Sequence, residues 1–173
     1  MLKFPPIVQP KVGRYIAFEQ MKRNGMKRFV VFDRTKQDIV GQMYCFAPNK
    51  LDSNGNSIYR INYLFSYIQN KGIGKILTNI AKNDSKRGIT NGKVCLIATD
   101  EYDKQNPPYL FYKKMGFNAV DKNKDNYLNQ CLKKGVDVSS DCISDCVEME
   151  YLPTKKELNA IKFIKQNFPY LFN

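Results

Sequence analysis

The chain has 173 residues, 43% of them hydrophobic and 13% aromatic, which suits one domain with its own core and excludes a disordered polar chain. Lys and Arg number 28 against 16 Asp and Glu, and the resulting net charge of +12 favours anionic partners: phosphate-bearing ligands, nucleic acid or an acidic surface. The chain contains no histidine, which excludes histidine bases and Ser-His-Asp triads, and its five cysteines include no Cys-x-x-Cys pair on which to build a zinc site.

Residues 1–13 are punctuated by proline and read as irregular, without the continuous apolar core of a signal peptide. No apolar run approaches the roughly 18 residues of a membrane span. The expectation is a cytoplasmic protein with reduced thiols. Residues 14–24 predict a short helix ending at Gly25. Segments 28–33 and 38–46 read as two strands of an antiparallel hairpin. A turn-rich stretch, 48–55, leads into a long apolar strand, 57–67. From Gly72 a helix runs to about Gly88, with Ile73, Ile76, Leu77, Ile80 and Ala81 on one stripe. Val94–Ala98 is continuously apolar, as a strand buried on both faces is. Strand, helix and strand of this length predict a right-handed parallel crossover. Asn106-Pro-Pro opens a further helix, and Phe117–Val120 is a short strand. Residues 121–141 read as a polar loop with a helical piece near 127–133. Residues 146–152 alternate as a last strand, and Thr154-Lys-Lys-Glu157 is a capping box that predicts a helix over 155–167. The stripe Leu158, Ile161, Ile164 and Phe168 predicts that this helix packs on the domain.

Two short motifs carry chemistry. The first is Gln69-Asn-Lys-Gly72-Ile-Gly74-Lys75, placed between an apolar strand and a helix. It is not a P-loop, because Ile76 follows Gly74-Lys75, nor a dinucleotide fingerprint, because Leu77 stands at the third glycine position. A glycine turn opening a helix presents unpaired N–H groups and the positive end of the helix dipole, which suit a phosphate. The second motif is Tyr109-Leu-Phe-Tyr112-Lys-Lys-Met-Gly116-Phe117.

In this order and spacing the two motifs resemble those of the GNAT superfamily of acetyl-CoA-dependent N-acetyltransferases. Gln69, Gly72 and Gly74 match its Arg/Gln-x-x-Gly-x-Gly/Ala turn, and Tyr112, Gly116 and Phe117 match its Tyr-x-x-x-Gly-Phe helix end. The likeness covers about residues 27–120. It departs at Ser66, where the family often has Pro, and at Gln69, more often Arg. The resemblance implies an α/β (α+β) fold in one domain. That fold is a mixed sheet of six to seven strands over about 14–152, with a splayed parallel pair in the middle, flanking helices and an added C-terminal helix. It implies acetyl-CoA as co-substrate with no metal. The pantetheine arm would run along Leu64, Phe65 and Ser66, and the diphosphate would lie on the amides of Gln69, Asn70, Lys71, Gly72, Ile73, Gly74 and Lys75. A family asparagine contact falls on Gln105, one residue before Asn106, which makes Asn106 the candidate there. Tyr112 is the candidate acid for the departing thiolate. Backbone N–H groups near Leu64 and Phe65 are candidate oxyanion donors, and Asp100, Glu101 and Asp103 are candidate bases just past the second parallel strand.

The reaction implied is transfer of an acetyl group to a primary amine. The acceptor stays open between a small molecule, a protein or peptide, and an amine carried on RNA such as an aminoacyl-tRNA, in a monomer or homodimer. Residues 1–26, 48–57 and 121–145 would shape the acceptor side. A non-catalytic acyl-CoA-binding or nucleic-acid-binding module that keeps the fold is the alternative from a different class.

Overall fold

A computed structural model describes residues 13–21, 26–46, 50–51, 57–87, 90–99, 101, 107–139, 142–143 and 146–169. In chain order the elements are β1 (Tyr15–Met21), β2 (Met26–Asp33), β3 (Asp38–Phe46), β4 (Lys50–Leu51), β5 (Ser57–Ile58), β6 (Arg60–Ser66), α1 (Ile73–Arg87), β7 (Val94–Thr99), α2 (Tyr109–Lys114), β8 (Asn118–Ala119), α3 (Lys122–Lys134), β9 (Cys146–Tyr151) and α4 (Lys155–Asn167). Seven strands form one sheet in the order β1-β2-β3-β6-β7-β9-β8, while β4 and β5 make a separate two-stranded ribbon. Every pairing is antiparallel except β6 with β7.

The predicted helix over 14–24 is a strand instead. Tyr15 to Met21 pair residue by residue with Asp33 to Lys27 of β2. Its residues are mostly half-buried, with Tyr15 and Ala17 packed toward the core, so the apolar positions do not alternate cleanly enough to announce a strand. Residues 121–141 also differ from expectation, because α3 is a full helix of 13 residues. The Asp121 carboxylate accepts from the N–H groups of Asn123 (2.7 Å) and Lys124 (3.2 Å), and Gly135 closes the helix at φ 65°. Only Leu128 and Cys131 of α3 are buried, so its caps and the Lys113–Asp125 ion pair (2.8 Å) offset a weak apolar face.

The long strand expected over 57–67 breaks at Tyr59, a fully buried residue. Its hydroxyl donates to the Asp84 carboxylate at 2.8 Å, and the Lys27 ammonium donates to the same carboxylate at 2.9 and 3.0 Å. Burial pushes the neighbouring Cys45 thiol up to about 12, so it stays a neutral thiol. This network ties β2 and the residue just before β6 to α1 through the core.

Helix α1 lies on the sheet face that carries Gly41, Met43 and Cys45. A Cβ on Gly41 would sit 2.4 Å from the Ile73 Cγ2 methyl and 3.0 Å from the Phe65 carbonyl oxygen. Gly41→Ala is therefore expected to cost about 1–3 kcal/mol through overpacking, read as a lower urea midpoint with unchanged slope.

The C-terminal capping box forms as expected. The Glu157 carboxylate accepts from the Thr154 N–H (2.9 Å), from Tyr151 Oη (2.9 Å) and from Lys86 Nζ (3.1 Å). The Thr154 backbone bond first, and then Lys86, Tyr151 and the Thr154 hydroxyl, hold its pKa down at about 2. A depressed carboxylate stabilises the fold fully above its unfolded pKa of 4.5 and loses that contribution as pH falls toward 2. Glu157→Gln should cost about 1 kcal/mol at pH 7, and the gap from the parent should close near pH 2 in parallel denaturation curves. Of the predicted stripe on α4, Ile161 is buried and Leu158 half-buried, whereas Ile164 and Phe168 stay exposed.

Candidate active site

The parallel pair is the centre of the molecule. Strand β6 pairs with β7 only at Arg60↔Cys95 and Ile61↔Leu96, below the Cys95 N–H to Tyr59 carbonyl bond (2.9 Å). Beyond Ile61, β6 stays on β3 and β7 stays on β9. The two strands thus separate toward their C-terminal ends, as the sequence led us to expect. The separation begins at an irregularity. Tyr44 faces Tyr63 and Cys45 faces Ile61, so Asn62 is an extra residue, a bulge that bends β6 away from β7.

Leu64, Phe65 and Ser66 form the C-terminal part of β6 along the open edge, and the Ser66 hydroxyl donates to the Ile68 carbonyl at 2.7 Å. The chain then turns through Asn70 at φ 56° and Gly72 at φ 76°. The first helical bond runs from the Ile76 N–H to the Gly72 carbonyl at 3.0 Å, so the amides of Ile73, Gly74 and Lys75 have no intrahelical partner. Gln69, Asn70, Lys71, Gly72 and Lys75 are exposed, while Ile73 is buried under the sheet. Gly74 has a packing reason as well: a Cβ there would meet the Phe111 ring at 2.9 Å, so α2 could not lie so close to α1.

Helix α2 brings Tyr112 to the same side of the sheet as α1. Tyr112 is 7% exposed, with Phe111 and Phe117 edge-on at ring-centre distances of 5.0 and 5.7 Å. Its hydroxyl has no hydrogen-bond partner among the described residues, although the nearby Cys45 lies opposite Ile61, where the strands part. Burial first, and then the Cys45 sulfur, push its pKa up to about 12. The ammonium of Lys82 closes the other end of α2. It donates to the Met115 carbonyl and sits 3.9 Å from the Tyr151 ring centre.

Glu101 follows β7 in an exposed turn, its N–H donating to Thr99 Oγ1 at 3.1 Å. Asp100, Asp103, Gln105 and Asn106 lie outside the described residues. The β6 edge thus runs directly into the glycine turn, Phe111 of α2 lies against Gly74, Tyr112 lies near Cys45 on the α1 side of the sheet, and Glu101 follows the C-terminal end of β7. The Asn62 bulge had no sequence signal. The period-two run Tyr63-Leu-Phe65-Ser-Tyr67 was readable as a one-sided aromatic strand face.

A seven-stranded mixed sheet whose one parallel pair splays around a glycine turn and helix defines the class: the chain has a GNAT-like fold. In three dimensions it is similar to Arabidopsis thaliana Naa50 in complex with a bisubstrate analogue, at 17% identity and a TM-score of 0.47, covering 73% of this chain and 72% of that one. It is similar to Escherichia coli ElaA at 11% identity and a TM-score of 0.48, covering 75% and 70%. It is also similar to an acyl-CoA N-acyltransferase from Pseudomonas aeruginosa at 13% identity and a TM-score of 0.45, covering 73% and 68%. No family model matches the sequence, and no curated protein matches it. No helix among the described residues is long and apolar enough to cross a membrane.

Proposed function

We propose that this chain is an acetyl-CoA-dependent N-acetyltransferase acting on a primary amine. The observation that carries this reading is the open edge of β6 running directly into a left-handed glycine turn at a helix start, with the buried Tyr112 phenol, which has no hydrogen-bond partner among the described residues, on the same side of the sheet as that helix. An extended amide chain can pair with such an edge as an added strand, and a diphosphate suits the free amides beyond it. The residues present fit the cofactor. Among the described residues nothing lies within 4 Å of where a Cβ on Gly72 would stand, so the turn leaves space for a ligand group, and Lys71 and Lys75 stand exposed beside it.

Bound acetyl-CoA supplies an activated thioester. The chain's own groups do the rest. The amides of Gln69 to Lys75 hold the diphosphate, and the edge of Leu64, Phe65 and Ser66 aligns the arm. Backbone N–H groups past the bulge, near Leu64 and Phe65, stabilise the oxygen that becomes negative when the amine attacks. Tyr112 gives its proton to the sulfur that leaves. Glu101, with Asp100 and Asp103, is the acidic cluster proposed to take the proton from the amine, directly or through water, and Asn106 is the further cofactor contact proposed on the same lip.

The direct test is calorimetric titration of the full chain with acetyl-CoA and with free CoA. Micromolar binding of both supports the reading and justifies a screen of small-molecule, peptide and aminoacyl acceptors. No heat with either sinks it and leaves a binding module of another kind.

A further inference from the structure

The end of α2 is built as a helix stop, and a side chain of α1 completes it. The Phe117 N–H donates to the Tyr112 carbonyl at 3.0 Å and the Gly116 N–H to the Lys113 carbonyl at 2.9 Å, with Gly116 at φ 81°. These bonds, with the edge-on contact of Phe117 and Tyr112 at 5.7 Å, make a Schellman turn. The turn leaves the carbonyl of Met115, the C-cap residue, outside its own bonds, and the Lys82 ammonium donates to it. The same ammonium lies 3.9 Å from the Tyr151 ring centre and 5.3 Å from that of Phe117. Tyr151 is itself held, because its hydroxyl donates to the Glu157 carboxylate at 2.9 Å. A surface lysine commonly covers apolar surface with its stem and keeps its head in water. Lys82 is half-buried and turns its head inward, and burial draws its pKa below the ordinary lysine range, against a smaller upward pull from Glu157.

We propose that Lys82 is a positioning residue for Tyr112, fixing the end of α2 and with it the place of the phenol; the inference rests on the acetyltransferase reading above. Helix α2 has six residues, too few to hold a direction of its own. It meets α1 near that helix's start and again past its middle. At the first point the Phe111 ring lies against Gly74, where a Cβ would come within 2.9 Å, and at the second the Met115 carbonyl lies on Lys82. Tyr112 falls between these two anchors in sequence, and its hydroxyl has no hydrogen-bond partner among the described residues. The backbone of α2 and the rings of Phe111 and Phe117 therefore set where the phenol stands. Phe117 is also one of the two rings that Lys82 touches. Without the ammonium, the Met115 carbonyl loses its partner, and the turn that returns Phe117 to Tyr112 loosens. A misplacement of about 1 Å can cost on the order of a hundredfold in rate, so a partial loosening lowers turnover without reaching the cofactor turn.

The test compares the full chain with Lys82→Met, which keeps the stem and removes the charge, with Lys82→Arg, which keeps the charge, and with Lys82→Met on the Tyr112→Phe background. Lys82→Gln carries the same comparison where the methionine variant does not fold. Thiol release from acetyl-CoA with tyramine as the acceptor gives turnover, calorimetry gives acetyl-CoA affinity, and amide hydrogen exchange reports the end of α2. In Lys82→Met, turnover at saturating acetyl-CoA should fall about tenfold while affinity matches the parent. The Phe117 amide should exchange about tenfold faster while that of Ile76 holds. Lys82→Arg should recover most of the turnover. The double variant should be no slower than Tyr112→Phe alone, because position matters only while there is a phenol proton to place. Equal turnover of Lys82→Met and the parent overturns the assignment. So does a further tenfold loss in the double variant, which reports a general structural role. Where tyramine is not accepted, an unchanged Phe117 exchange rate overturns it instead. Acetyl-CoA binding by the parent and every variant alike leaves the cofactor reading standing whichever way Lys82 falls, whereas no binding by the parent removes that reading and this inference with it.

Discussion

Gly72→Glu is expected to weaken acetyl-CoA binding by at least about a hundredfold, some 2.7 kcal/mol, while the protein stays folded. Two effects add. At φ 76° any side chain pays the left-handed backbone penalty of about 1–2 kcal/mol, and part of that cost appears as a distorted turn. The carboxylate also places a negative charge where the free amides of α1 would meet a diphosphate. At a separation of about 4 Å and surface dielectric, each like-charge pair costs roughly 4 kcal/mol before screening. The same carboxylate sits favourably at the helix N-terminus, which returns about 0.3–1 kcal/mol to the fold. Stability should therefore fall by less than about 2 kcal/mol, leaving the protein folded, while affinity collapses. Gly72→Ala separates the two effects, since it carries the strain without the charge and should lose affinity far less. If Gly72→Glu binds acetyl-CoA as the parent does, the diphosphate does not lie on this turn, and the cofactor reading fails at its strongest point.

How much of this was legible in the sequence differs by element, for physical reasons. The crossover β6-α1-β7 was readable because an apolar strand, a glycine turn and a 3.6-residue stripe each announce themselves locally. The capping box at Thr154 and Glu157 was readable for the same reason. Strand β1 was not, because its identity depends on the backbone partner that β2 supplies in register from Asp33 to Lys27, a non-local fact. The helix α3 carried its caps in plain view, at Asp121 and Gly135, but its polar composition hid it as a loop. In the site, the glycine turn and Tyr112 were visible as spacing. The Asn62 bulge, which sets where the strands part, was invisible because one extra residue against β3 leaves no compositional trace. The buried Lys27–Asp84–Tyr59 network was equally hidden, since its members lie on three separated elements.

Tyr112→Phe is the substitution that tests the chemistry rather than the binding. Its hydroxyl has no partner among the described residues, so removing it leaves no orphaned donor in the protein and stability should hold or rise slightly. The ring would keep its packing against Phe111 and Phe117. Acetyl-CoA affinity should be unchanged, because the phenol would act only as the sulfur departs. Turnover on any accepted amine should fall by about a hundredfold, the range expected for loss of a positioned acid. The pH dependence sharpens this. With its pKa raised to about 12, the phenol is protonated at every ordinary working pH and fails as an acid only above that value. A rate that rises with pH near neutrality therefore reports deprotonation of the amine or its base, and should persist in Tyr112→Phe at a lower plateau. If turnover equals that of the parent, Tyr112 is a packing residue and the leaving thiolate takes its proton from solvent. If KM for acetyl-CoA rises while kcat holds, the phenol binds the cofactor and the acid must be sought elsewhere.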